Sequence, residues 1–364
     1  MLMLIGLYAK QLSISLNFSF IFILFIEGDK LGKNMRTIYI DPRWGTSGGI
    51  GTFYKKINEI NKYERLSISG SPVSPYDSIR SSVYVNRLSN ALVFYPGYIP
   101  PLFSKNPYVF TIHDLNHLDR PENSSFFKKT FYNTVIKKGC LDSKFIFTVS
   151  EFSRQRILEW SGVDDNKVVN VGNGVSPRFN PVGDKLTLGF DFILCVSNRK
   201  GHKNEIRTLN AFALAKIPKE IKLVFTGEPD EVMLANINEL KLNGRVYFTG
   251  YLDDAQLPNL YRASLALVFV SLYEGFGLPV IEAQATGVPV ITSNTTALSE
   301  IAGQGALLVD PLDVEEIADS ISLLLIKPSL CESLVRTGFE NIKHFTWEKT
   351  AEKVHKYLEY AASC

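Results

Sequence analysis

The sequence predicts an α/β protein made of two doubly wound domains that face each other across a cleft. Two observations carry this. Short apolar runs alternate with helical patterns between residues 36 and 160, and a second series of the same kind runs from 192 to 325. Between them, residues 173–189 hold Pro177, Pro181 and three glycines, the punctuation of an interdomain linker.

In the first series, residues 38–41, 91–95, 108–112 and 145–149 are continuous apolar runs. They read as parallel strands buried on both faces. Helical patterns at 53–61, 126–138 and 153–160 lie between or after them. In the second series the strands fall at 192–196, 222–226, 245–249, 265–270, 289–292 and 306–309. Helices are expected at 205–215, 232–241, 256–263, 279–285 and 314–325. Residues 346–360 form a last amphipathic helix with Trp347 near its start. The expected division is a leader at 1–34, an acceptor-side domain at 35–180 and a nucleotide-sugar domain at 181–345. The helix of 346–364 is expected to pack back on the first domain. Doubly wound sheets bind ligands at the carboxyl ends of their strands, so the cleft is where chemistry is sought.

Composition narrows the classes. The 364 residues suffice for two domains, and 45% hydrophobic with 21% charged residues is a globular balance. A formal net charge of +2 gives no global field to recruit nucleic acid. Cys140, Cys195, Cys331 and Cys364 are too far apart for a metal site and read as free thiols of a reducing compartment. Residues 1–26 carry one charge, Lys10, and end in the apolar run 20–26. A cleavable signal is disfavoured because a charged start and a cleavage site are missing. An anchor with Lys30, Lys33 and Arg36 on its cytoplasmic side is one reading. Translation from Met35, directly before the first strand, is the favoured one.

The string Glu274-Gly275-Phe276-Gly277-Leu278-Pro279-Val280-Ile281-Glu282-Ala283 follows the strand of 265–270. Gly275 and Gly277 allow a tight turn and a close backbone approach, and Pro279 suits the first turn of a helix. The free N–H groups of Phe276, Gly277 and Leu278 would face an anion at the positive end of that helix. Glu274 and Glu282 flank this start, and each can take paired sugar hydroxyls. Against an ordinary strand-loop-helix turn stands the length of the string.

Three further stretches sit at strand ends. Ser197-Asn198-Arg199-Lys200-Gly201-His202-Lys203-Asn204 places cations at the mouth of the same cleft. Arg199 can bind phosphate bidentately and Lys203 is a point charge. Such charges favour a leaving group that gains charge in the transition state. Lys200 and His202 are read as bystanders. Residues 45–52, with Gly49 and Gly51, follow the first strand but lack both a full dinucleotide fingerprint and a P-loop lysine. His113-Asp114 follows the strand of 108–112; taken alone, such a histidine is more often structural. Glu151 is expected to cap the helix after it. Asp253-Asp254 is read as helix capping, and no essential metal or cofactor is expected.

The 274–283 string resembles the E-x7-E signature of the family-four retaining glycosyltransferases, the mannosyltransferase-like members of glycosyltransferase group 1. Ala285-Thr286-Gly287-Val288-Pro289-Val290, Ser293, Leu298-Ser299-Glu300-Ile301-Ala302-Gly303 and Asp310-Pro311 continue the likeness in order and spacing. It covers nearly all of residues 36–360 and is most specific in the second half. The resemblance implies the GT-B fold, two Rossmann-like domains across a cleft. It assigns the transferred hexose to Glu274 and the nucleotide ribose to Glu282. Donor contacts fall to the backbone of Gly275, Phe276, Gly277 and Leu278, and the diphosphate to Arg199 and Lys203, beside Ser197. Gly49 and Gly51 would lie over the donor phosphates and the acceptor. His113 would hold the hexose, and Asp114 and Tyr98 would shape the acceptor side.

The implied reaction transfers a hexose, from GDP-mannose by preference, to a hydroxyl of a glycan or lipid-linked saccharide in surface polysaccharide synthesis. The implied place is the cytoplasm, at the inner face of the membrane. The basic, aromatic stretch 126–138 either touches an anionic surface or is a solvated helix face. Competing readings are another GT-B enzyme such as an epimerase or inverting transferase, a nicotinamide-dependent dehydrogenase, and a non-catalytic sugar-nucleotide binder.

Overall fold

The computed structural model describes residues 35–46, 48–253 and 255–363. The leader reading of residues 1–34, and the expectations that touch Ser47, Asp254 and Cys364, lie outside the described residues.

Two six-stranded parallel sheets form the frame, each covered by helices. The first runs β2 (Glu64–Arg65), β1 (Thr37–Ile40), β3 (Ala91–Tyr95), β4 (Tyr108–Thr111), β5 (Phe145–Thr148) and β6 (Val168–Asn170) across its width. The second runs β12 (Leu307–Val309), β11 (Val290–Ser293), β10 (Ala266–Phe269), β7 (Phe192–Cys195), β8 (Lys222–Phe225) and β9 (Val246–Phe248). This is the GT-B arrangement. Every residue of β3, β4, β7 and β10 is buried, as continuous apolar runs require. Each fully buried Leu, Ile or Phe contributes roughly 1.5–3 kcal/mol.

The helices of the first half are α1 (Gly48–Asn61), α2 (Asp77–Val85), α3 (Asn116–Asp119), α4 (Phe126–Phe131), α5 (Lys137–Asp142) and α6 (Glu151–Ser161). Those of the second are α7 (Glu205–Leu214), α8 (Glu231–Glu239), α9 (Leu257–Ala263), α10 (Leu278–Ala285), α11 (Thr296–Ala302), α12 (Val314–Ile326), α13 (Pro328–Ile342) and α14 (Trp347–Ser363). Capping side chains start several of them. Ser150 accepts from Ser153 N at α6, Asp230 from Met233 N at α8, and Asp313 from Glu315 N and Glu316 N at α12. Gly162, at φ 72°, closes α6 in the left-handed conformation that suits glycine.

Strand order reverses between β1 and β3 in the first sheet and between β7 and β10 in the second. These two switch points fix the site. The loops after β1 and β3 carry the glycine-rich turn and Tyr98. The loops after β7 and β10 carry Arg199, Lys203 and Glu274. The first switch point is braced by Arg43, which binds Asp41 at 2.7 Å and Asp77 at 2.6 Å.

The core follows the same plan, with one seam between the halves. Phe276, Ile281, Ala297 and Ile301 of the second half pack in one cluster with Ile40, Phe53, Phe94 and Phe147 of the first. Trp347, Val354 and Leu358 of α14 join that cluster, and α14 lies on α1, β1, β3 and β5. Among the described residues no helix is long and apolar enough to cross a membrane.

Some elements differ from the expectation. The glycines at 48–51 are already helical, so α1 begins five residues before the expected 53. The helix expected at 126–138 runs to Asp142 through a π-helical turn, Tyr132–Ile136. Asp253 caps a turn ahead of α9, accepting from Ala255 N at 3.4 Å, and α9 itself has Gln256 at its N-cap without a side-chain bond.

Candidate active site

The centre of the cleft is an ion pair. Lys203 Nζ lies 2.6 Å from Glu274 Oε1, and each side chain is 14% exposed. Lys203 sits in a short 3₁₀ turn, Gly201–Lys203, directly after the β7 loop. Its ammonium also lies 4.9 Å from the Phe269 ring centroid. Asn204 pins that turn from below. It has φ 60°, and its side-chain amide donates to Val270 O at 2.9 Å and Pro311 O at 2.6 Å. The loop before β10's partner helix is tied to the same turn, since Leu272 N donates to His202 O at 2.7 Å. His202 is therefore part of the floor through its backbone carbonyl. Its imidazole is buried, which lowers its proton affinity, and Nδ1 lies 3.4 Å from Asn123 Nδ2 of the first domain.

Gly275 presses directly against the first half. A Cβ there would lie 2.5 Å from His113 O and 2.7 Å from Asp114 Cβ, so only glycine fits. Gly277, the N-cap of α10, has φ 101°, and a Cβ would meet Leu298 Cδ2 at 2.4 Å. Phe276 faces inward against Phe345, leaving its backbone to line the turn. Glu282 accepts a hydrogen bond from the fully buried Tyr261 hydroxyl at 2.8 Å. Ser197 is held by its backbone, which exchanges two 3.0 Å bonds with Thr226 Oγ1. Its own hydroxyl is buried with no hydrogen-bond partner among the described residues.

On the facing wall, His113 Nε2–H donates to Pro96 O at 2.9 Å, which fixes Nδ1 as the acceptor. Burial pushes the imidazole down to about 4, against the opposing effect of that carbonyl, so the ring is neutral at ordinary pH. Asp114 accepts from Asn116 N at 3.0 Å. Burial, and after it the nearby Glu274 charge, push its carboxyl up, while the Asn116 N–H pulls it down. Tyr98 lies in an aromatic cluster, 5.5 Å from Trp44 and stacked at 6.0 Å on Tyr132. Gly51 lets the α1 start press on the preceding turn, since a Cβ would meet Gly45 O at 3.0 Å; Gly49 faces open space.

Arg199, expected to hold the diphosphate, is engaged by groups of its own half. It has φ 61°, and its guanidinium turns away from Glu274 toward β8. It pairs with Glu205 at 2.8 Å, donates to Thr226 O, and lies 5.3 Å from the rings of both Phe225 and Phe248. A diphosphate gripped by both guanidinium edges would have to displace Glu205. Lys203 and Arg199 are thus not a matched pair: one reaches Glu274, the other braces the loop between β7 and α7. Glu151 does not cap α6 by its side chain, which pairs with Arg154 at 3.0 Å. Its N–H instead meets a carboxylate of the other half, Glu300, at 2.9 Å.

Sequence reasoning passed over Tyr261, Thr226, Asn204 and Glu205, which hold the charged groups in place. Only Asn204 and Glu205 left a signal, being the two residues that follow Lys203. Among the described residues no group of three or more His, Cys, Asp and Glu side chains could hold a metal ion.

Comparison with known proteins agrees with this frame. The family described as Glycosyl transferases group 1 matches residues 184–341, the half that holds Arg199, Lys203, Glu274 and Glu282. O-antigen chain mannosyltransferase B of Escherichia coli is 30% identical over 266 residues, covering 68% of this chain and 69% of that protein. Serotype-specific mannosyltransferase WbdA of Escherichia coli is 27% identical over 266 residues, covering 67% of this chain; the match spans 32% of that longer protein. Among solved structures, Anabaena HepE in complex with UDP and glucose superposes with a TM-score of 0.73 at 16% identity, covering 88% of this chain and 98% of that one. The two sheets, the E-x7-E loop at the second switch point and these relatives converge on one assignment: the chain belongs to the group 1 glycosyltransferase family and is a glycosyltransferase of the GT-B fold.

Proposed function

We propose that this enzyme transfers a mannosyl group from GDP-mannose, with retention, to a hydroxyl of a glycan or lipid-linked saccharide in surface polysaccharide assembly. The observation that carries this reading is the Lys203–Glu274 pair, which stands at the second switch point directly beside the His113–Asp114 turn. The relatives named as mannosyltransferases support the choice of sugar.

In this reading Lys203 stabilises the departing diphosphate, together with the N–H groups at the start of α10. The bond between the anomeric carbon and the phosphate oxygen breaks. The acceptor oxygen bonds on the same face, and its proton passes to the departing phosphate oxygen. Once Lys203 turns to the diphosphate, Glu274 is free to orient sugar hydroxyls. His113 Nδ1 accepts from another hydroxyl, and Glu282, aligned by Tyr261, takes the ribose. Asp114 and Tyr98 border the acceptor, and Gly49 and Gly51 allow its close approach. Arg199 acts by holding the Ser197 loop. Closure of the cleft excludes water from the activated sugar. The exposed Phe126 and Phe127, beside Lys128 and Lys129, offer a contact to an anionic membrane that carries a lipid-linked acceptor.

A panel of nucleotide sugars tests the reading, with release of nucleoside diphosphate and product NMR as readouts. GDP-mannose is expected to turn over fastest and to give an α-linked product. Preference for another donor, or inversion at the anomeric carbon, overturns it.

A further inference from the structure

We propose that Glu300 is an interdomain positioning residue that holds the cleft shut in the geometry needed for transfer. Its two carboxylate oxygens accept from the backbone N–H groups of Glu151 at 2.9 Å and Phe152 at 3.0 Å, the first two residues of α6. Those N–H groups have no partner within their own helix, and they lie at its positive end. The third N–H, of Ser153, is taken by Ser150 Oγ. The start of α6 is therefore fully satisfied by protein only when the two halves are together. On opening, the exposed donors pass to water, which makes the contact reversible.

The position of Glu300 links this contact to the donor loop. Glu300 lies on α11, whose Ala297 N donates to Glu274 O at 3.4 Å and whose Leu298 packs over Gly277. A donor that orders residues 274–278 thus also sets α11 and its carboxylate. On the other side, Ser153 Oγ lies 3.0 Å from His113 O and 3.3 Å from Gly275 O, bridging the two strand-end turns. Tyr273 adds a third tie, donating to Asp119 Oδ2 at 2.8 Å, while Arg156 holds Asp119 Oδ1 at 2.7 Å. The neighbouring Glu151 carboxylate is drawn off to Arg154 and Gln155, so it does not repel Glu300. Glu300 touches no reacting atom in this account. It acts by placing His113 against the Glu274 loop, and this part rests on the reading proposed above.

The test pairs kinetics with solution shape. Glu300→Ala is expected to lower kcat by about 10–100-fold, as small misplacements of reacting groups do. The Kd for the nucleoside diphosphate should stay within about twofold, because Lys203, the N–H groups at the start of α10 and Glu282, which hold the nucleotide in this reading, lie in the second half. Donor hydrolysis should rise relative to transfer, and small-angle scattering should show a larger radius of gyration. Glu300→Gln, which keeps one acceptor, should recover part of both readouts. Should Glu300→Ala fail to fold, Ser153→Ala carries the same expectations in weaker form. Unchanged kcat together with an unchanged radius of gyration overturns the proposal. If the wild-type enzyme does not use GDP-mannose, the scattering readout still decides on the clamp, so the two failures are distinguishable.

Discussion

Lys203 and Glu274 neutralise one another across 2.6 Å at the carboxyl end of the second sheet. The two residues are 71 positions apart, and the loops after β7 and β10 bring them together because those strands are neighbours at the switch point. The pairing lets both charges stand 14% exposed, each offsetting the other's loss of water. It also means that a diphosphate donor must compete with Glu274 for the ammonium. That competition releases the carboxylate when a sugar is present to receive it.

Arg199 should behave as a structural residue. Arg199→Ala leaves Glu205, 8% exposed, without its cation, and such a loss costs about 3 kcal/mol or more. Thermal unfolding is expected to show a clear drop in Tm, shared by Arg199→Lys because a lysine cannot span Glu205, Thr226 O and the two phenyl rings. A variant with unchanged Tm but weakened nucleotide binding would return Arg199 to the diphosphate.

Tyr261→Phe removes the hydroxyl from Glu282 without leaving a cavity. Hydrogen bonds to charged groups are worth about 1.5–3 kcal/mol, so the KM for donor should rise by roughly tenfold or more with kcat little changed. Equal kinetics in mutant and wild type would show that Glu282 is not on the donor.

Gly275→Ala places a methyl 2.5 Å from the His113 carbonyl oxygen, which is backbone and cannot rotate away. Each half should still fold, since the clash lies only between them. Circular dichroism should be native-like, activity should fall below about a hundredth, and scattering should show an open molecule. Retained activity would mean that the observed approach of the two turns is not the working one.

The pH dependence of stability has a definite sign. Burial holds His113 at about 4, below its unfolded value, so between roughly 4 and 6.5 the unfolded chain binds more protons. His202 is shifted in the same direction by burial. Stability from these groups is fully present above the unfolded value and is lost as pH falls through that window. Tm should decline from pH 6.5 to 4, and His113→Gln should flatten the decline. An equally steep profile in that variant would place the titrating group elsewhere.

How much of this was legible follows from what each segment spends its side chains on. The buried strands β3, β4, β7 and β10 are unbroken apolar runs, and they read cleanly. The α2 segment did not, because its inward face is built from Asp77, Ser78, Ser81 and Ser82 with Val85 as its one buried aliphatic residue. The helix α13 is amphipathic, but it fully buries only Leu334 and Gly338, and its other apolar contacts, Leu330, Cys331 and Ile342, are only partly covered. The two-residue β2 has both side chains exposed. In the site, glycines and charges announced themselves by spacing. Their partners did not, since Tyr261 and Glu300 act through contacts that only the folded chain creates. The partners of Arg199 were not legible, because residue type alone cannot show that a left-handed backbone turns its side chain toward Glu205.

The sharpest test of the account is the transfer rate of Lys203→Met with GDP-mannose and a saccharide acceptor, measured beside its Tm. The ammonium should be worth about 100–1,000-fold in kcat, as is usual for a fixed charge on a developing anion. Glu274, 14% exposed, is left without its cation, so Tm should fall, and kcat is compared at a temperature where both proteins are folded. Turnover within about threefold of wild type in a normally folded Lys203→Met protein would contradict the placement of the departing diphosphate at Lys203.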